Sequence, residues 1–364
     1  TLDKYIQGRD IGKDMKNTDK QLQDRKAAVG NVFLSRFPPE PNGFLHIGHA
    51  KAMNFNFGLA SKKQGNCYLR FDDTNPTTEK QLFIDSIIEN VKWMGFNPWK
   101  ITYSSDYFTE LYELAIKMIK DGNAYVCHMT GDEVKLSRET YKGSDKSNIK
   151  ASPWRSRSVD ENLKEFHKMK IGYYAEGEAC LRMKGDLQSS NPNMWDHVCY
   201  RIMYHKHPMT NDKWCIYPTY DYTHCIIDSL EWITASCCTL EFENRRESYF
   251  WLLDILELYK PYVWEYSRLN ITHNVLSKRK LLKLVNNGYV RGWDDCRLLT
   301  IEGLRRRGYT AEVIRNFVDK TGVTRKDNFI SPKLLEAVAR DIYNVKCKRG
   351  FAVIDPIKIV ITNY

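Results

Sequence analysis

Apolar residues recur at helical spacing over Leu82, Ile84, Ile87, Ile88, Val91 and Met94, and the run closes at Gly95. This pattern predicts a helix. Further helices are predicted from about His46 to Lys63, stopped by Gly65, and from about Phe108 to Lys120, ended by Gly122. Between them stand short β-forming runs, "NVFLSRF" and "CYLRF". Strand, helix, strand, helix in this order implies a parallel sheet with right-handed crossovers. The alternation returns later as strand "WCIYPTYDY", helix "THCIIDSLEWIT", strand "CCTLEF", helix "RRESYFWLLDILELY" and strand "YVWEYSRL".

"AYVCHM" reads as a strand, and from about Thr130 to Lys213 the pattern turns irregular and rich in turn residues. The expected fold class is therefore α/β: a doubly wound parallel, Rossmann-like domain in two halves, residues 30–105 and 214–270, split by an inserted α+β domain over 106–213. Residues 1–29 are polar without apolar periodicity, as in a linker or loosely attached arm. Residues 271–348 read as mostly helical. "FAVIDPIKIVITNY" supplies two β-like runs with no strands left to complete a sheet. Residues 349–364 are thus expected to begin a truncated β-rich domain, and a chain that opens at Thr1 is expected to come from a processed or longer protein.

The formal charge of +10 makes a polyanionic partner plausible, although the excess is spread over 55 Lys and Arg residues against 45 Asp and Glu. Ten cysteines form no CxxC pair, which suits reduced thiols of an intracellular protein. No apolar run approaches the ~20 residues that cross a bilayer, so a cytoplasmic location and no membrane partner are expected.

"NGFLHIGHAKA" places His46 and His49 one helical turn apart around Gly48, at the first strand-to-helix turn. In a doubly wound sheet that turn faces the ligand. Neither GxGxxG nor GxxxxGK[ST] is present, so the site is not a dinucleotide fingerprint or a P-loop. Two imidazoles aimed at one point suit a reaction in which charge grows on phosphorus. Gly48, lacking a β-carbon, would let a flat ring such as adenine lie against the backbone. The same spacing also occurs in surface helices and in half-built metal sites. "NVLSKRK" follows the last strand of the second half and faces the same end of the sheet, where Ser277, Lys278 and Arg279 could meet a pyrophosphate leaving group.

The pair of HIGH and a KMSKS-like loop resembles the signature of class I aminoacyl-tRNA synthetases. "RFPPEPNGFLHIGHAKA", "LRFDDTNP", "WCIYPTYDYTHCIIDSLE", "CTLEF", "SRLN" and "GLRRRGYT" are similar to the glutaminyl type, from about residue 30 to the end. The resemblance implies that glutamine attacks the α-phosphorus of ATP, and that tRNA(Gln) then receives the glutaminyl group, with AMP and pyrophosphate released. It implies His46, His49 and Lys278 as catalytic residues. It places Glu40, Pro41, Asn42, Ile47, Gly48, Ala50, Lys51, Ala52, Thr239, Arg268, Leu269, Leu276 and Ser277 around ATP, with Mg²⁺ arriving on the nucleotide and no protein-held metal. For glutamine it implies Asp72 at the ammonium and Tyr220 at the side-chain amide, with Arg36, His224 and Cys238 nearby. Asp72 and Asp73 could instead cap a helix, and Tyr220 could be a core aromatic.

The resemblance assigns the insertion, with Arg155, Arg157, Arg182, Lys184 and Arg201, to the tRNA acceptor end, and gives Arg305, Arg306 and Arg307 to phosphate contacts. It assigns residues 349–364 to the first strands of the anticodon-binding barrels, so weak or absent aminoacylation is expected of this chain. Further synthetases or a preceding domain stay open as partners. Glutamate enzymes of this type carry arginine where Cys238 stands, so a neutral thiol favours glutamine. Val263 stands where glutamine is usual, Trp232 and Ala235 where glycine and histidine are usual, and Leu276 where methionine is usual. A glutamate-specific or non-discriminating synthetase, a HIGH-type nucleotidyltransferase without tRNA, and a silent RNA-binding module are the alternatives.

Overall fold

The computed structural model describes residues 16–141 and 151–364. Strand β1 (Leu34–Phe37) pairs in parallel with β2 (Asn66–Phe71), which pairs in parallel with β3 (Ile101–Tyr103). A second parallel pair joins β8 (Ala235–Thr239) to β9 (Tyr262–Tyr266). The two pieces are laced together where Thr234 N donates to Leu34 O at 2.8 Å and Leu34 N donates to the Thr234 hydroxyl at 2.9 Å. The lateral order is therefore β3, β2, β1, β8, β9, with the reversal of winding between β1 and β8. Ligands in open α/β sheets bind at that crevice, beyond the carboxyl ends of the strands.

Helix α2 (Ile47–Lys62) leaves β1 and buries Ile47, Ala50, Met53 and Phe57 against the first sheet and the later helices. Helix α3 (Gln81–Trp93) does the same with Ile84, Ile87 and Val91. The expected helices over 46–63 and 82–95 thus lie within a residue or two of the observed ones.

The insertion carries helices α4 (Phe108–Lys120), α5 (Gly131–Tyr141) and α6 (Val159–Lys170). Its four-stranded antiparallel sheet runs β4 (Ala124–Cys127), β5 (Cys180–Met183), β6 (Val198–Ile202) and β7 (Ile216–Pro218), in that order. The last of these strands departs from the expected arrangement. Ile216–Pro218 pairs with β6 instead of opening the second parallel half, because Ile216 and Tyr217 bury into one core with Phe108 and Leu181. The expected strand through Tyr222 also ends early: Thr219 is extended and Tyr220 already begins helix α7 (Tyr220–Leu230).

The expected loose arm is a helix over its described part, α1 (Asp19–Val29), closed by a capping box between Thr18 and Gln21. Polar contacts dock it, which apolar periodicity cannot reveal: Gln21 donates to Glu257 O and Leu258 O, and Arg25 to Val32 O and the Thr234 hydroxyl. Residues 1–15 lie outside the described residues. Trp232 adopts φ +55°, the left-handed region a glycine enters without steric cost, and its ring packs on Tyr259. Ala235, where histidine is usual, is buried among Leu59, Trp264 and Tyr266.

After β9 the chain forms a two-residue parallel pair, Asn270–Ile271 with Phe329–Ile330, within the part expected to be mostly helical. Helices at Lys278–Asn286, Ile301–Arg306, Ala311–Thr321 and Pro332–Lys346 follow the expected pattern. Residues 349–364 form no strand, contrary to expectation, since a strand requires a partner to pair its backbone. Phe351, Ile354 and Ile357 there are exposed.

Candidate active site

Many of the candidate residues follow or close the carboxyl end of a parallel strand. Glu40 to His49 follow β1, Asp72 follows β2, Cys238 and Thr239 close β8, and Arg268 follows β9. His46 is the N-cap of α2, where its Nδ1 accepts from Gly48 N at 3.1 Å; His49 Nδ1 accepts from His46 N at 3.1 Å. Both rings therefore carry their proton on Nε2 and present it as a donor. The ring centroids lie 3.9 Å apart. Burial, with Lys278 and Arg268 nearby, lowers the His46 pKa to about 3. Burial and His46 lower that of His49 as well, so both are neutral donors at pH 7.

The role expected of Gly48 is refined by its neighbour. A β-carbon there would stand 2.8 Å from His46 Cε1, so glycine is required by the imidazole of the motif itself.

Lys278 Nζ donates to Asn42 Oδ1 at 2.5 Å and reaches Glu40 O at 3.4 Å, bringing the KMSKS-like loop onto the first motif. Burial lowers its pKa. Trp293 stacks on Phe44 at 5.6 Å, and Ile47 N donates to Leu299 O while Ile301 N donates to Leu45 O, so the helical region grips the turn that carries His46. Exposed Ser277 is the N-cap of the helix over Lys278–Asn286, an end that favours anions.

A second group gathers beside this one. Tyr220 stacks on His224 with centroids 4.6 Å apart, and His224 meets Tyr249 edge-on at 5.0 Å. Burial lowers the His224 pKa to about 3, leaving it neutral, and raises that of Tyr220, which also feels Cys238, Asp72 and Arg36. Asp72 accepts from the Thr74 hydroxyl through Oδ1, but its buried Oδ2 has no hydrogen-bond partner. Burial and then Glu40 push its carboxyl up to about 7. A buried carboxylate oxygen without a donor is costly unless a ligand supplies one.

Other candidates also make contacts within the fold. Lys51 is buried and donates to Ser267 O at 3.1 Å, tying α2 to the loop before Arg268. Ile47, Ala50 and Leu269 turn their side chains into the core, Ala52 and Leu276 pack against it, and Pro41 is buried with its carbonyl accepting from Lys80 N. Arg268 pairs with Glu241 at 2.8 Å, and Thr239 also bonds Glu241. Arg36 is wholly buried: it donates to both oxygens of Asp228, to Ser236 and to Cys237 O, and lies 3.4 Å from Cys238 Sγ. It therefore backs the pocket and has little left to offer a substrate. Val263 is buried in the core shared with the insertion, so an apolar side chain suits its place behind the pocket.

Sequence reasoning missed the network around Arg36. Arg70 bridges Asp228 and Glu231, while Thr102 and Tyr107 also donate to Glu231. Burial alone would raise the Asp228 pKa, yet Arg36 and Arg70 hold it well below the usual carboxylate range. The available signal was a charge inside an apolar run, Arg70 in "CYLRF" and Asp228 in "CIIDSLEW".

Beside Asp72, Asp73 accepts from Ser105 N and its hydroxyl, and its carbonyl receives Nε2–H of buried His207, whose Nδ1 accepts from Met209 N and Thr210 N. Glu79 lies in the same cluster, and burial followed by Asp73 pushes it up to about 9. The fold thus holds this proton up to about pH 9, whereas the unfolded chain releases it near 4.5. Its cost to stability is absent below that lower value and grows as pH rises. Glu79→Gln is therefore expected to raise the unfolding temperature by about a few degrees at pH 8 and to leave it unchanged near pH 4, as read by paired thermal melts.

The basic residues offered for RNA are partly engaged. Arg182 is buried against Asp196 O, Arg155 pairs with Asp196, and Arg157 donates to Val126 O. Arg201 donates to Thr74 O. Exposed Arg305 and Arg306 pair with Glu89 and Asp294, while Arg307 lies over the Tyr309 ring. Among the described residues, no helix is long and apolar enough to cross a membrane.

The family described as "tRNA synthetases class I (E and Q), catalytic domain" matches residues 33–344. A probable glutamine–tRNA ligase of Dictyostelium discoideum is 56% identical over 356 residues, 98% of this chain and 45% of its own length. A cytoplasmic glutamine–tRNA ligase of Arabidopsis thaliana is 56% identical over 348 residues, covering 95% of this chain and 43% of its own. The chain thus spans less than half the length of these relatives. The crystal structure of a glutamate–tRNA synthetase from Elizabethkingia anophelis aligns with a TM-score of 0.62 at 18% identity, over 86% of this chain and 71% of its own.

Proposed function

Because this chain belongs to the class I tRNA synthetases of the glutamate and glutamine type, we propose that it joins L-glutamine to ATP as glutaminyl-adenylate and passes the glutaminyl group to tRNA(Gln). In the first step a carboxylate oxygen of glutamine attacks the α-phosphorus and pyrophosphate leaves. In the second a terminal ribose hydroxyl of the tRNA attacks the acyl carbon and AMP leaves. ATP brings its Mg²⁺ as substrate. We read a cytoplasmic site of action from the printed name of the Arabidopsis relative.

The observation that carries this reading is the pairing of two neutral Nε2–H donors with an unpartnered buried carboxylate oxygen at Asp72. His46 and His49 would donate to phosphate oxygens as charge builds on phosphorus, and Lys278 would accompany the departing pyrophosphate. Donors held in place in this way are worth about 10² to 10³ in rate each. Asp72 Oδ2 would accept from the glutamine ammonium, and the Tyr220 hydroxyl would meet the side-chain amide. The insertion would take the acceptor end, with Arg307 on the helical region as a phosphate contact.

Pyrophosphate exchange into ATP is expected to require both glutamine and tRNA(Gln), and exchange supported by glutamate instead would overturn the choice of substrate. Gly48→Ala should push the His46 ring off its present seat and lower the exchange rate by about 10²-fold with little change in the KM for glutamine. Steady-state kinetics on the folded variant checks this.

A further inference from the structure

The inserted sheet sets two cysteines directly opposite each other. Cys127 on β4 and Cys180 on β5 are register partners in an antiparallel pair. Such partners have Cα atoms about 4.5–5.5 Å apart, inside the range that a disulfide spans. Cys127 is fully buried, whereas Cys180 is partly exposed. Arg182 Nη1 lies 3.8 Å from Cys127 Sγ and the Ser152 hydroxyl lies 3.4 Å from it. Cys180 across the pair, more than Ser152 or Arg182, draws the Cys127 pKa down to about 5, while Cys127 and burial push the Cys180 thiol far up. The other free thiols lack this arrangement: Cys199, Cys225 and Cys237 are buried with raised pKa values, and Cys296 and Cys347 are exposed at the surface.

We propose that Cys127 and Cys180 are a redox modification site, a dithiol that a hydroperoxide closes to a cross-strand disulfide. Cys180, the more exposed of the two, keeps its proton and serves as the resolving thiol. The Cys127 thiolate, with Arg182 and Ser152 beside it, attacks one peroxide oxygen. An S–O bond forms, the O–O bond breaks, and the departing hydroxide takes a proton to become water. The Cys180 sulfur then attacks the sulfenic sulfur of Cys127. The S–S bond forms, the S–O bond breaks, and the second hydroxide leaves as water with the remaining thiol proton. Two thiols and one peroxide give one disulfide and two waters, the peroxide being reduced.

The test treats the whole chain with hydrogen peroxide, traps remaining thiols with an alkylating reagent under acid quench, and maps the cysteine peptides by mass spectrometry. Cys127 and Cys180 should lose alkylation together and in equal measure, appear as one linked peptide pair, and regain both thiols with dithiothreitol. In Cys180→Ser the linked pair should vanish, with Cys127 halting as a sulfenic or more oxidised acid. The proposal is overturned if Cys296 and Cys347 oxidise while both strand cysteines stay alkylatable. It is also overturned if Cys127 of the unaltered chain advances to sulfinic acid without linking, or links to a different cysteine. These readouts come from the unaltered protein, so they decide the matter even where a variant fails to fold.

Discussion

Asp72→Asn should lower glutamine-dependent pyrophosphate exchange by about 10² to 10³-fold, through the KM for glutamine, while ATP affinity stays near that of the parent chain. The substituted amide keeps the volume and the Thr74 contact but removes the charge from a buried carboxylate oxygen that the fold leaves without a hydrogen-bond donor. An ammonium would then be buried beside a neutral group, and breaking a buried ion pair in this way costs about 3–5 kcal/mol. The pH profile gives an independent reading. With the Asp72 carboxyl up to about 7, lowering the pH protonates it, and glutamine KM should rise about tenfold per unit below that value. In Asp72→Asn this limb should disappear. A variant that keeps it would move the titrating group elsewhere, with Asp73 and Glu79 the next carboxyls to replace.

Cys238→Arg should cut glutamine use by at least about 10²-fold and raise activity with glutamate from its basal level. Arg36 lies 3.4 Å from the Cys238 sulfur, and the network behind it is already balanced, Arg36 and Arg70 against Asp228 and Glu231. A further guanidinium there meets only carboxylates already paired, its register neighbour Glu265 with Arg246 and Arg325, until a γ-carboxylate arrives with the substrate. Burying it unpaired costs several kcal/mol, which glutamine cannot return and glutamate can. Competition between the two amino acids in one exchange assay reads the switch. Unchanged glutamine kinetics would take Cys238 out of the side-chain pocket.

What the sequence revealed divides by physical cause. The parallel halves were legible because each carries an apolar period, and the first motif because an N-cap histidine and its partner one turn later are local features. Arg36 and Lys51 lie in blocks that the resemblance turns toward ligands; the partners they hold within the fold, Asp228 and the Ser267 carbonyl, are 192 and 216 residues away in the chain. Spacing does not encode contacts at that distance. Helix α1 was missed because capping and long polar side chains hold it. The strand at Ile216–Pro218 was assigned to the wrong sheet because a short, fully buried strand looks the same in either. Asp72 could be found only by resemblance, since nothing local distinguishes it from Asp73, whose carboxylate is consumed by Ser105.

The balanced arginine and carboxylate network also sets a timetable for biosynthesis. Arg36 and Arg70 enter the chain long before Asp228 and Glu231, and at about 5–20 residues per second the wait between Arg36 and Asp228 is roughly 10–40 s. During that interval the first parallel half would have to bury two uncompensated cations to close, so it is expected to stay open on the ribosome, and the core of the insertion waits too, since Tyr249, Leu253 and Val263 complete it. Strand β1, among the first made, is then locked only once Asp228 has been added. A nascent chain arrested before Asp228 should display protease-sensitive sites around β1 that vanish once α7 has emerged.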